Sequence, residues 1–129
     1  MIEIQNLTKI YNTHIAVKDL NLKVEAGEIF GFLGPNGAGK TTTIRMVAGA
    51  LAPTSGRIIL GGLDLAREPR AAKNLVGYIP DRPFLYEKLS GWEFFEFLGD
   101  LYEVGRAELD FRGTRLLELF ELLDWRDDL

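Results

Sequence analysis

Gly34-Pro35-Asn36-Gly37-Ala38-Gly39-Lys40-Thr41 fits the pattern G-x-x-x-x-G-K-[ST] at every fixed position. The apolar run Ile29-Phe30-Gly31-Phe32-Leu33 precedes it and reads as a buried strand. The run Thr42-Thr43-Ile44-Arg45-Met46-Val47-Ala48 follows and is compatible with a helix. Strand, glycine-rich turn and helix are the context in which this pattern cradles phosphate. The residues therefore point to a nucleoside triphosphate as ligand.

Phosphate oxygens need donors, positive charge and close approach of the backbone. Gly34, Gly37 and Gly39 are expected to provide the backbone positions, because glycine reaches positive φ without steric cost. The N–H groups of the loop can then face inward as an anion-binding nest. The helix starting near Gly39 adds unpaired N–H groups and the positive end of its dipole. The dipole alone contributes only ~0.3–1 kcal/mol at an exposed site, so Lys40 is expected to carry much of the β/γ-phosphate charge. The Thr41 hydroxyl suits Mg²⁺, a hard cation that prefers oxygen, and Thr42 can reach an α-phosphate oxygen. The expected cradle thus spans Gly34 to Thr42, with Pro35, Asn36 and Ala38 inside it.

A length of 129 residues bounds the chain to one domain at most, and 47% hydrophobic residues is ordinary for a globular protein. Fifteen basic against nineteen acidic side chains give a net charge of −4, which argues against charge-driven nucleic-acid binding. There is no cysteine, hence no disulfide framework and no thiolate metal site. The N-terminus MIEIQNLTKIY lacks the long apolar core of a signal peptide. No stretch approaches the ~18 apolar residues of a membrane span.

Ile2 and Ile4 alternate with polar residues as a short strand, and Val17, Leu20, Leu22 and Val24 suggest a second extended region. A turn at residues 25–28 leads into the phosphate-loop strand, and the helix after Lys40 is expected to end near Gly49. Residues 53–56 read as a turn, residues 57–60 as a strand broken by Gly61-Gly62, and residues 67–74 as a short helix with Pro69 in its first turn. Leu75-Val76-Gly77-Tyr78-Ile79 reads as another strand, stopped by Pro80. Ser90 and Glu93 form a capping box opening a helix with Phe94, Phe95, Leu98, Leu101 and Tyr102 at helical spacing and a stop at Gly105. A second amphipathic helix carries Leu116, Leu119, Phe120 and Leu123, with Gly113 costing it about 1 kcal/mol relative to Ala.

The chain resembles the N-terminal portion of an ATP-binding subunit of an ABC transporter, of the bacterial exporter-like kind. The resemblance covers the whole chain and rests on L-T-K-I-Y ending at Tyr11, G-P-N-G-A-G-K-T-T at 34–42, P-T-S-G at 53–56 and V-G-Y-I-P at 76–80. It implies an α/β fold: a P-loop NTPase core with an N-terminal antiparallel β subdomain and the start of an α-helical subdomain. Residues 1–80 would form the β subdomain and phosphate-loop core, 81–90 a hinge and 91–129 an incomplete helical subdomain. The cofactors implied are ATP and Mg²⁺. Tyr11 matches the aromatic on which the family stacks adenine, although without that resemblance it reads as a strand aromatic packed at a sheet edge. Pro83, Phe84, Leu85, Tyr86, Trp92 and Phe95 match the region that grips a helix of a transmembrane permease subunit, and from composition read as a small helical core. The resemblance further implies a homodimer or heterodimer of ATPase domains, and a cytoplasmic protein held at the inner face of the membrane by its partner.

Two departures stand out. Asp81 occupies the position of the family's hinge glutamine, which contacts Mg²⁺ and the attacking water; an Asp can offer oxygen to the metal or simply cap a turn at the hinge. The L-S-G-G-Q-type signature, the apolar strand ending in Asp-Glu and the switch histidine do not occur. Leu89-Ser90-Gly91 is explained as a helix cap, Leu122-Leu123-Asp124 lies in a helical pattern, and His14, the one histidine, is expected in an exposed N-terminal loop. The resemblance therefore implies a truncated domain that binds nucleotide, with no catalytic base of its own; Lys40 and Asp81 would only assist catalysis.

Overall fold

The computed structural model describes residues 1–83 and 85–128. These form two compact units, Met1–Ile79 and Pro80–Leu129. No described helix is long and apolar enough to cross a membrane.

The first unit is built on a hairpin of β1 (Ile2–Tyr11) and β2 (His14–Val24). Its tight turn places Asn12 at φ 51°, a left-handed position that asparagine tolerates better than most residues. β1 also pairs with β3 (Ser55–Leu60), which pairs with β4 (Leu63–Asp64), giving an antiparallel sheet of order β2-β1-β3-β4. Gly61 (φ 56°) and Gly62 (φ 90°) form the two-residue turn joining β3 to β4, where both central residues need positive φ. The β1–β2 register shifts between Ile4 and Leu7 and again up to Ile10. Asn6 (φ 47°) and Asp19 (φ 44°) sit at these irregularities, and bulges of this kind sharpen the local twist.

One face of the sheet buries Ile4, Leu7, Val17, Ile58 and Leu60. Helix α1 (Lys40–Val47) inserts the fully buried Met46 into this core, and α2 (Pro69–Lys73) adds Ala72. α1 ends in a Schellman motif: Gly49 takes φ 68°, its N–H donates to the Met46 carbonyl at 3.0 Å and the Ala50 N–H to the Arg45 carbonyl at 2.9 Å. Pro69 lies in the first turn of α2, where its missing N–H costs nothing.

Two segments depart from the sequence reading. Residues 29–33 and 75–79 are not strands, and neither joins the β2-β1-β3-β4 ladder. Far from being buried, Ile29 is 101% and Leu33 92% exposed, and Ile79 is 87% exposed. A strand is defined by its hydrogen-bonded neighbour, and an apolar run without one stays irregular. Only Val76 from these runs packs against the core.

The second unit is a helical hairpin. α3 (Gly91–Leu101) opens with a capping box: Ser90 Oγ accepts from Glu93 N–H at 3.2 Å and Glu93 Oε2 accepts from Ser90 N–H at 2.8 Å. It stops before Gly105, in a Schellman motif with Glu103 at φ 56°. Gly105 is instead the N-cap of α4 (Arg106–Leu119). The face α4 buries also differs from expectation: Gly113 and Leu117 are buried, whereas Leu119 and Phe120 are 72% and 66% exposed and Leu116 is exposed too. Gly113 lies under Trp92 and Phe95, and Gly99 of α3 under Leu109, so glycines set the closeness of the two helices. A 3₁₀ turn, Leu123–Trp125, follows and brings the Arg126 guanidinium 3.5 Å over the Trp92 ring.

Candidate functional site

The glycine-rich loop between residues 33 and 39 is exposed and runs straight into the N-terminus of α1. Gly37 (φ 83°) and Gly39 (φ 85°) adopt the left-handed conformation that glycine reaches without steric cost. Gly34 does not, which corrects the expectation for that residue: a Cβ there would meet only Ala38 Cβ at 3.6 Å and Lys40 Cδ at 3.8 Å, ordinary contacts. Gly39 is constrained twice. Besides its φ, a Cβ there would lie 2.4 Å from the Ala16 carbonyl oxygen and 2.9 Å from Val17 Cγ2. Strand β2 therefore backs the loop directly.

No side chain caps α1, so its first N–H groups remain available to an external acceptor. Lys40 arches back over the loop and donates to the carbonyl oxygens of Gly34 at 2.5 Å and Pro35 at 2.6 Å. Its ammonium is thus satisfied by neutral acceptors that an anionic oxygen would outcompete, since charge-assisted hydrogen bonds are roughly twice as strong. Pro35, Asn36 and Ala38 are exposed along the rim, with Ala38 N–H donating to the Pro35 carbonyl at 3.3 Å. Thr41 is exposed and Thr42 half-buried in the first turn of the helix, while Thr43 is buried and ties its N–H to Gly39 at 2.8 Å. Uncapped N–H groups, left-handed glycines and a poised ammonium fit a polyphosphate. The exposed Thr41 hydroxyl at the same helix terminus is an oxygen donor of the kind Mg²⁺ takes.

Tyr11 is the last residue of β1, opposite His14, and is 43% exposed. The same hairpin carries Ala16 and Val17, which buttress Gly39, so this sheet brings Tyr11 and the phosphate loop onto one scaffold. His14 begins β2 rather than lying in a loop, though it is exposed as expected. Asp81 is an exposed residue of the second unit. Of the hinge aromatics, Trp92 is buried, Phe95 half-buried, and Tyr86 is exposed and set edge-on to Phe97 at 5.3 Å. Phe84 and Leu129 lie outside the described residues.

Sequence reasoning missed Lys9. Its Nζ donates to the Ala52 carbonyl at 2.7 Å and stands 5.2 Å from the Tyr11 ring centroid. The signal was present in the two-residue spacing, which puts Lys9 and Tyr11 on one face of a strand.

Residues 17–129 match the family described as ABC transporter. The chain is 36% identical over 128 residues to the linearmycin resistance ATP-binding protein LnrL of Bacillus subtilis, covering 99% of this chain and 41% of that protein. It is 37% identical over 128 residues to the Nod factor export ATP-binding protein I of Cupriavidus metallidurans, covering 99% and 42%. A solved ATP-binding subunit of an ABC transporter superposes with a TM-score of 0.86 at 32% identity, covering 98% of this chain and 53% of that one. The chain spans about two-fifths of the length of these curated relatives. With its family-wide match and its P-loop ATPase fold, the chain belongs to the ABC transporter ATP-binding family.

Proposed function

We propose that this chain binds ATP with Mg²⁺ through Gly34 to Thr42, with adenine on Tyr11, and that the whole protein hydrolyses ATP to drive transport through a transmembrane permease subunit. The observation that supports it is Lys40, held 2.5–2.6 Å from the Gly34 and Pro35 carbonyls above an uncapped helix terminus. When bound, Mg²⁺-ATP would supply the phosphoanhydride bond to be broken and a divalent charge that offsets the phosphates. The chain's own residues bind and orient it. Lys40 and the loop N–H groups hold negative charge, Thr41 offers an oxygen to the metal, and Asp81 is a further oxygen donor to that metal. ATPase domains of this kind act in pairs, as a homodimer or heterodimer. The named relatives serve linearmycin resistance and Nod factor export. That favours export and a cytoplasmic position at the inner membrane face, held by the partner.

One residue favours a second reading. Asp81 in place of the family's hinge glutamine cannot donate a hydrogen bond when ionised, as suits a nucleotide-binding regulatory protein or pseudo-ATPase without a transport role. Calorimetric titration of the 129-residue chain with ATP, with and without Mg²⁺, tests the binding claim. Lys40→Ala should weaken binding about ten- to hundredfold, the loss of a charged hydrogen bond. Unchanged affinity would overturn the assignment of the cradle. Asp81→Ala and Asp81→Gln should change the Mg²⁺ dependence, and identical Mg²⁺ dependence in all three proteins would remove Asp81 from the metal site. No turnover above the Lys40→Ala background is expected from these residues alone.

A further inference from the structure

The end of β1 is stitched to the segment that leaves α1. Lys9 Nζ donates to the Ala52 carbonyl at 2.7 Å, Ile10 N–H donates to Thr54 Oγ1 at 3.0 Å, and Thr54 N–H donates to the Thr8 carbonyl at 2.9 Å. Gly56 (φ 92°) lets this segment lie against β1, since a Cβ there would sit 2.4 Å from the Asn6 carbonyl oxygen. The same ammonium that reaches Ala52 stands over the Tyr11 ring at 5.2 Å, within cation–π range. An exposed aromatic at the end of a hairpin would otherwise be free to change rotamer. Lys9 restrains it, because its charge is fixed at one end by Ala52 and attracted at the other by the ring. α1 carries the phosphate loop at its N-terminus and, past its C-terminus, the Ala52–Thr54 anchor. The distance between Tyr11 and the phosphate loop is thereby held by a closed circuit of strand, loop and helix.

We infer that Lys9 is a positioning residue that presets Tyr11 as the platform for a nucleobase, making it a determinant of base recognition but not of phosphate binding. This rests on the proposed ATP site, and the test separates the two. ATP and inorganic tripolyphosphate are titrated into wild type, Lys9→Met, Lys9→Arg, Tyr11→Ala and the Lys9→Met/Tyr11→Ala double variant, with thermal melting recorded for each. Lys9→Met keeps the aliphatic stem and removes the charge. It should weaken ATP roughly two- to fivefold, the size of an exposed cation–π contact. It should leave tripolyphosphate unchanged, and Lys9→Arg should restore ATP affinity. Tyr11→Ala should weaken ATP roughly tenfold, as loss of base stacking does, and adding Lys9→Met to it should cost nothing further. An equal loss for ATP and tripolyphosphate, additivity with Tyr11→Ala, or no loss at all would overturn the role of Lys9. Tyr11→Ala with wild-type ATP affinity would overturn adenine stacking itself, and with it the role of Lys9. Tripolyphosphate binding that remained Lys40-dependent would then show the phosphate site to be sound.

Discussion

Asp64 shows how one carboxylate can organise a corner of the first unit. Its Oδ1 accepts from the N–H groups of Ala66 at 2.9 Å and Arg67 at 3.2 Å, and its Oδ2 faces Arg57 Nε at 3.2 Å and Nη2 at 3.1 Å. Partial burial pushes its pKa up, but the two backbone donors and the Arg57 guanidinium outweigh this and hold it below the usual carboxylate range. A depressed folded-state pKa contributes stability above the unfolded pKa of about 3.9, and that contribution is lost as pH falls through the folded value. Asp64→Asn should therefore lower the denaturation midpoint at pH 7 and lose that effect progressively below about pH 4. Denaturant melts of both proteins across that range check it; a difference that persisted at the lowest pH would mean that charge is not the cause. None of this was visible in the sequence, where Asp64 is one polar residue after a glycine pair. By contrast, Gly39 and Lys40 were legible there, because the phosphate-binding pattern specifies residue types at fixed offsets.

Among the elements, helix existence followed from local signals and helix packing did not. The Ser90–Glu93 capping box and the position of Pro69 are local chemistry and appear as read. The end of α3 was misplaced because Glu103, a residue that seldom adopts the left-handed conformation, occupies the Schellman position usually held by glycine. Glu121 (φ 58°) does the same after α4. Gly113 is the sharpest case. Propensity alone says that Gly113→Ala should stabilise α4 by about 1 kcal/mol. The structure reverses the sign, because the added Cβ would lie 2.9 Å from Trp92 Cζ3 and 3.2 Å from Phe95 Cδ2. Overpacking of this kind typically costs ~1–3 kcal/mol. Gly113→Ala should thus destabilise the helical unit on balance, read by denaturant unfolding with Trp92 fluorescence as the local probe. A higher midpoint would show that the two helices can move apart freely.

For the molecule as a whole, the chain commits its apolar residues unevenly. Leu7, Met46 and Leu60 are fully buried, yet Ile29, Leu33 and Ile79 stand almost entirely in solvent. Unpaired apolar segments of this kind are also sites of unwanted strand pairing. Hydrogen exchange in the 129-residue chain should find the amides of residues 29–33 and 77–79 essentially unprotected, while those at the centre of β1 exchange orders of magnitude more slowly. Protection of residues 29–33 equal to that of β1 would show that they find a strand partner in solution. The run of apolar residues before the phosphate loop is a sound indicator of a strand only when another strand is there to receive it.

The residue pattern alone was enough for the glycine-rich turn leading into α1, the two helix starts at Ser90 and Pro69, the β3–β4 break at Gly61-Gly62 and the family resemblance, because each depends on residue identity within a few positions. Tertiary structure was needed for the pairing of β1 with both β2 and β3, for the unpaired state of residues 29–33 and 75–79, for the buttress of Ala16 and Val17 behind Gly39, for the face of α4 that is buried and for the bridge from Lys9 to Ala52 and Tyr11. Most of these join residues far apart in the chain, whose contact depends on where the backbone carries them and not on which neighbours they have in sequence.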